Sequence, residues 1–160
     1  MKHSSDLVLN AEASIVVAAV SDLSTYPHWN DLVSSATPTP PASGDPGPAW
    51  LTTLKAHVGP FSRSKQLRFV RIDADDLASD EHQAEDATQR IRFVRREVDG
   101  RTHASWAMDI EVVPNGSDSR ATLTLSYDGS LWIPALGTVL GGAIDRATER
   151  LPAYLDARNP

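Results

Sequence analysis

The chain predicts an α+β fold in which an antiparallel sheet curves around one long C-terminal helix, with two short helices near the N-terminus. Three observations carry that prediction. Five segments between Trp50 and Tyr127 alternate apolar and polar residues with the period of two expected of a half-buried strand. Turn-forming pairs, Gly59-Pro60, Asp99-Gly100 and Asn115-Gly116, punctuate them. From Pro134 to Asp156, residues Leu136, Leu140, Ala143, Ala147, Leu151 and Tyr154 recur at spacings of four, three, four, four and three, one stripe of an amphipathic helix.

Taken in order, a first strand is expected around Asp6 to Asn10. Ser14 to Leu23, rich in alanine and valine, reads as a helix with Ser14 as its start signal, and Trp29 to Val33 as a second short helix. Pro38 to Pro48 places five prolines, two glycines and Ser43 in eleven positions, so an exposed connection is expected rather than a helix or central strand. The next strand has Trp50, Thr52, Leu54, Ala56 and Val58 on one side and Thr53, Lys55 and His57 on the other. Lys65, Leu67 and Phe69 then oppose Gln66 and Arg68, while Val70 and Ile72 break the pattern, which a bulge would explain. Asp73 to Gln89 is rich in acids and reads as a solvated connection. Ile91, Phe93 and Arg95 alternate with Arg90, Arg92, Val94 and Arg96. Trp106, Met108, Ile110 and Val112 alternate with Ala107, Asp109 and Glu111. Ala121, Leu123, Leu125 and Tyr127 oppose Thr122, Thr124 and Ser126.

Length and composition bound the function. A chain of 160 residues with 41% hydrophobics fits one domain, residues 1–160, able to bury a core without staples. It has no cysteine, which removes thiol catalysis and thiolate metal sites. Fifteen basic against twenty-one acidic residues leave a net charge of −6, the wrong sign for a nucleic-acid backbone binder. The histidines at 3, 28, 57, 82 and 103 show no metal-ligand spacing; His57 and His103 are expected on outward strand faces and His28 in a turn. No phosphate-cradling glycine motif or serine-nucleophile elbow appears, so no cofactor or metal is expected. The polar start, Met1 to Asp6, followed by a short apolar run, reads as cytoplasmic. Gly129 to Ile144 carries no charge for sixteen residues, short of the ~20 a spanning helix needs, and is expected to form a buried or pocket-facing helix.

The order of a strand, two short helices, a run of antiparallel strands and a long final helix resembles the helix-grip arrangement of the START-like superfamily, also called SRPBCC. Ala11 to Ser14, Val16, Val17, Ser21-Asp22 and above all Tyr26-Pro27-His28-Trp29-Asn30 are similar to that family's opening. Lys55-Ala56-His57-Val58-Gly59-Pro60-Phe61 resembles the Val-Gly-Pro hairpin of the family's carbon-monoxide-dehydrogenase-associated branches. Glu12 stands where the family often has proline, and Asp31 where proline often follows Trp-Asn. The resemblance, over about residues 4 to 157, implies a container for a hydrophobic small molecule, lipid- or polyketide-like, between sheet and final helix. The family also includes polyketide cyclases and dehydrases, so fold alone does not choose between binding and catalysis.

On that reading Trp50, Leu54, Leu67, Phe69, Phe93, Trp106 and Met108 line the sheet side of the pocket, with Leu136 and Leu140 on the helix side. Trp29, Trp50, Trp106 and Trp132 form an aromatic lining or fill core; Trp29 is expected to be structural. Arg95 falls on the inward face. There it either orients a ligand oxygen, pairs with a helix acid such as Asp145, or turns to solvent. Tyr127 offers a second polar end or is a core tyrosine. Gly137, Gly141 and Gly142 serve close packing or make room for a ligand. Two other functional classes stay open: a cyclase or dehydrase in which Arg95 stabilises an enolate, and a module that docks Leu131 to Ile144 on a membrane or a protein. The oligomeric state is not legible.

Overall fold

Strands with one apolar and one wet face must pair side by side and then be covered. In the computed structural model of the protein, which describes residues 1–58, 60–72, 88–129 and 134–158, without the side chains at 58, 61 and 134–136, they do so as one antiparallel sheet. Its strands are β1 (Lys2–Leu9), β2 (Val33–Thr39), β3 (Ala49–Val58), β4 (Phe61–Ile72), β5 (Gln89–Arg95), β6 (Ser105–Asn115) and β7 (Asp118–Asp128), in the spatial order β1-β7-β6-β5-β4-β3-β2. First and last strands are thus neighbours: the Met1 ammonium donates to the Tyr127 carbonyl at 2.7 Å and the Tyr127 N–H to the Met1 carbonyl at 2.9 Å.

Because β1 and β2 occupy opposite edges, the chain between them must cross the sheet. Helix α1 (Ala13–Val20) and a 3-10 helix (Leu23–His28) make that crossing, burying Val16, Val20, Leu23 and Tyr26. Helix α2 (Pro134–Asp156) has the boundaries expected from its stripe, and Leu140, Ala143, Ile144, Ala147 and Leu151 are all buried. Gly141 packs on β1 so closely that a Cβ there would lie 3.1 Å from the His3 ring, so at this position the small residue serves packing. His3 in turn bonds Asp145 at 2.9 Å, which holds the Asp145 carboxyl below its ordinary pKa.

The structure corrects several sequence expectations. Helix α1 starts at Ala13; Glu12 occupies the N-cap without a side-chain cap, and Ser14 lies inside the first turn. The Trp29–Val33 segment is not helical. Asn30 Oδ1 accepts the Leu32 N–H at 3.0 Å and the Asn30 carbonyl accepts the Val33 N–H at 3.0 Å, a turn that competes with helix continuation and delivers Val33 into β2. Strand β2 therefore runs into the proline-rich stretch. Pro38 is tolerated because β2 is an edge strand, paired only with β3. His103 sits in the β5–β6 connection, bonded to Asp99 at 2.9 Å, rather than on a strand face. Gly59, most of the acidic stretch (73–87) and Trp132 lie outside the described residues.

No bulge is needed at Val70, since β4 pairs in continuous register with β3 and β5. Arg68 and Val70 are buried on the opposite face from Leu67 and Phe69. Part of that second face is covered by the segment expected to be an exposed connection. Arg68 Nη2 reaches Asp45 Oδ2 at 2.5 Å, with both side chains about 5% exposed. Asp45 also accepts the Ala42 N–H at 2.6 Å, and Arg96 donates to the Gly44 carbonyl at 2.8 Å.

The Arg68 hydrogen bond holds the Asp45 carboxyl below its ordinary 3.8, with the Ala42 N–H acting in the same direction and burial opposing both. A depressed native pKa stabilises the fold at neutral pH; that contribution is lost as pH falls below the unfolded-state value and through the lower native one. Asp45→Asn leaves a buried guanidinium uncompensated and is expected to lower stability by about 3–5 kcal/mol at pH 7, with a smaller difference from wild type near pH 3. Urea unfolding at the two pH values checks this, and a loss that does not shrink on acidification would rule the ion pair out as its source.

Candidate functional site

A concave sheet wider than its cover leaves space wherever the covering side chains do not meet the strands. That space lies under the 3-10 helix and the turn that follows it. Leu23, Tyr26, Asn30, Leu32 and Val33 line it from above; Thr52, Leu54, Phe69, Phe93, Trp106, Met108 and Leu125 line it from the sheet, joined by Ala107. It measures about 40 Å³, far below the ~300–1,000 Å³ of sites that enclose drug-sized ligands. Trp50 forms one wall of the surrounding core, edge-on to Phe93 at 5.7 Å, with its indole N–H donating to Ser24 Oγ at 3.2 Å. Tyr26 and Trp29 pack at 4.3 Å and are fully buried, Tyr26 donating its hydroxyl to the Val20 carbonyl at 2.8 Å. Burial, reinforced by Asp22, pushes the Tyr26 pKa far up, so this phenol is no proton-transfer group at neutral pH.

Among the described residues lining the cavity there is no charged side chain. Of the pocket residues expected from sequence, Leu54, Phe69, Phe93, Trp106 and Met108 line it. Leu67 and Leu140 are core residues beside it, and the Leu136 side chain lies outside the described residues. Arg95 is on the inward face by register, opposite Phe69, and its side chain is only 5% exposed. Its partner is Glu97 rather than Asp145: Nε donates to Glu97 Oε1 at 2.7 Å, and a terminal nitrogen to the Ala104 carbonyl at 3.3 Å. The guanidinium thus ties the β5–β6 connection to the end of β5. Tyr127 packs on Trp106 at 4.7 Å, and a Cβ at Gly129 would collide with its hydroxyl.

Sequence reasoning missed Asn30 and Thr52 as cavity residues. Thr52 carried a signal, a hydroxyl at an inward position between Trp50 and Leu54, whereas Asn30 was hidden by the helix expected around it. The cover over Asn30 is held at its rim. Asp31 accepts from Arg146 at 3.3 Å and also pairs with Arg150, joining the turn to α2, while the Lys55 N–H donates to the Leu32 carbonyl at 2.8 Å. Outside this turn a surface cleft of about 440 Å³ is lined by Asp31, Leu32, Lys55, Ala56, His57, Val139, Ala143 and Arg146. Leu32, 5% exposed, belongs to both linings, so cleft and cavity come together at its side chain.

Among the described residues no helix is long and apolar enough to cross a membrane, and no cluster of three or more His, Asp or Glu is placed to hold a metal. No family model matches the sequence, and no curated protein matches it significantly. Solved structures do match in fold. A START superfamily protein from Mycobacterium smegmatis is 15% identical, covers 98% of each chain and superposes with a TM-score of 0.68. Human StAR-related lipid transfer protein 5, 9% identical, covers 98% of this chain and 76% of its own with a TM-score of 0.71. The Zhui aromatase/cyclase from Streptomyces sp. R1128, 10% identical, covers 100% of this chain and 96% of its own with a TM-score of 0.65. At these identities the shared property is the fold, a START-like helix grip over nearly the whole chain.

Leu32→Ala is expected to cost about 2–4 kcal/mol in stability and to join cleft and cavity, raising the acrylamide quenching constant of the tryptophans. Denaturant unfolding and steady-state quenching of the same sample check both; the stability loss without a change in quenching would show that Leu32 is not the partition.

Proposed function

We propose that the protein holds a hydrophobic small molecule, lipid- or polyketide-like, between the concave sheet and its helical cover, for transport, sequestration or sensing. The observation that supports this is the cavity wall itself. Five consecutive strands, β3 to β7, and the crossing segment turn apolar side chains onto one space, and the nearby charges are engaged elsewhere, Arg95 by Glu97 and Asp31 by Arg146 and Arg150. The occurrence of this fold in a lipid transfer protein and in an aromatase/cyclase agrees with such use. Binding is favoured over catalysis because the described lining offers no group poised to move a proton.

At about 40 Å³ the space must widen to accept such a guest. The turn from Asn30 to Leu32 offers the access route, since Leu32 is shared by the cavity and cleft linings and the tie of Asp31 to α2 is made of ion pairs whose side chains are 38% to 54% exposed. Outward movement of this turn would connect the cavity to the cleft past Leu32, and the ligand would gain free energy from apolar area removed from water.

Fluorescence titration with N-phenyl-1-naphthylamine, a neutral apolar probe, is expected to show saturable binding that Met108→Trp weakens at least tenfold by filling the cavity while leaving the circular dichroism unchanged. Absence of saturable binding to the wild type would overturn the container reading. Asp31→Asn is expected to change stability by less than ~1 kcal/mol yet raise the probe's dissociation rate about threefold to fivefold, measured by stopped flow. An unchanged rate would remove the Asp31 clasp from the access route.

A further inference from the structure

Of the polar side chains in the described lining, two keep a buried atom unpaired. Asn30 is 1% exposed and Thr52 is 1% exposed, and both line the space. Asn30 Nδ2 and Thr52 Oγ1 have no hydrogen-bond partner among the described residues. Leaving such groups unpaired in an apolar interior is costly, so each calls for an explanation. For Asn30 the fold uses only half of the amide: Oδ1 is engaged by the Leu32 N–H, which also fixes the amide's orientation and leaves Nδ2 as the free donor. For Thr52 the fold uses none of the hydroxyl, although valine would fill the same shape.

From this we infer that Asn30 and Thr52 form the polar recognition point of the cavity and select a neutral apolar ligand bearing a carbonyl oxygen, such as a ketone or an ester. The inference rests on the container reading and specifies its ligand. An amide N–H and a hydroxyl both donate, and a carbonyl oxygen has two lone pairs to receive them. A carboxylate or an ammonium is disfavoured, because no described lining residue supplies the opposite charge. This assigns the orienting role to two neutral donors rather than to Arg95, whose guanidinium is held by Glu97 and the Ala104 carbonyl.

The decisive variant is Thr52→Val, which removes the hydroxyl and keeps the shape. Without ligand it is expected to raise the melting temperature by about 3 °C, since an unpaired buried hydroxyl is lost. Binding is then compared for 1-tetralone and tetralin, which share a ring skeleton and differ by C=O in place of CH2. In Thr52→Val the ratio of dissociation constants, tetralin over tetralone, is expected to fall threefold to tenfold relative to wild type, and in Thr52→Ser to stay near the wild-type value. Because the ratio is compared between proteins, the difference in hydration of the two probes cancels. Binding of both probes with a ratio unchanged by Thr52→Val overturns the recognition point while leaving the container intact. If wild type binds neither probe nor N-phenyl-1-naphthylamine, the container reading fails, and this inference with it.

Discussion

Everything in this fold follows from covering one wide apolar sheet face with very little helix. Antiparallel strands with a clean alternation produce a concave wall of Trp50, Leu54, Leu67, Phe69, Ile91, Phe93, Met108, Ile110, Leu123 and Leu125, which cannot be left in water. One 23-residue helix and the short crossing between the two sheet edges are the main covers available. Where α2 lies on the sheet, small residues such as Gly141, Ala143 and Ala147 let it approach closely and the core is filled. Beneath the 3-10 helix and its following turn the cover is irregular, and the packing leaves a cavity. Core and candidate site are thus two ends of one apolar surface.

The polar residues are distributed so that full charges stay out of that surface. On the other face, Asp45 and Arg68 form a nearly dry pair that pins the proline-rich segment to the sheet. Such pairs are a weak source of net stability but a strong determinant of which loop conformation is reached, because any alternative strands a buried charge. At the end of β5, Arg95 is neutralised by Glu97 before it reaches the cavity. At the rim, Asp31 is shared by Arg146 and Arg150 in a wetter environment, where screening weakens the pairs. Among the described residues only neutral groups line the cavity, and burying Asn30 and Thr52 there without full partners costs the fold stability.

The sheet was largely legible because its signal is local: period-two alternation needs no knowledge of neighbours, and β3 through β7 fall where it places them. The stripe of α2 was legible for the same reason, with its observed limits at Pro134 and Asp156. Failures came where a single hydrogen bond outweighed the pattern. The Asn30 turn ended a helix that composition favours, and β2, short and polar on both faces, became a strand only because β3 offered it a free edge. Arg68 and Val70 resembled a bulge because alternation cannot anticipate that a distant loop will bury the outer face as well.

By itself, then, the sequence determined the α+β class, the strand faces and the covering helix, all properties of spacing along the chain, while its motifs carried the START-like resemblance. Only the tertiary structure decided that the free space lies under the turn carrying Asn30 rather than along α2, and that Arg95 belongs to Glu97. It also brought Thr52 and Asn30 to the same cavity. These depend on which side chains meet across the fold, and meetings between residues far apart in sequence are set by competition among many partners for buried space, which no periodicity records.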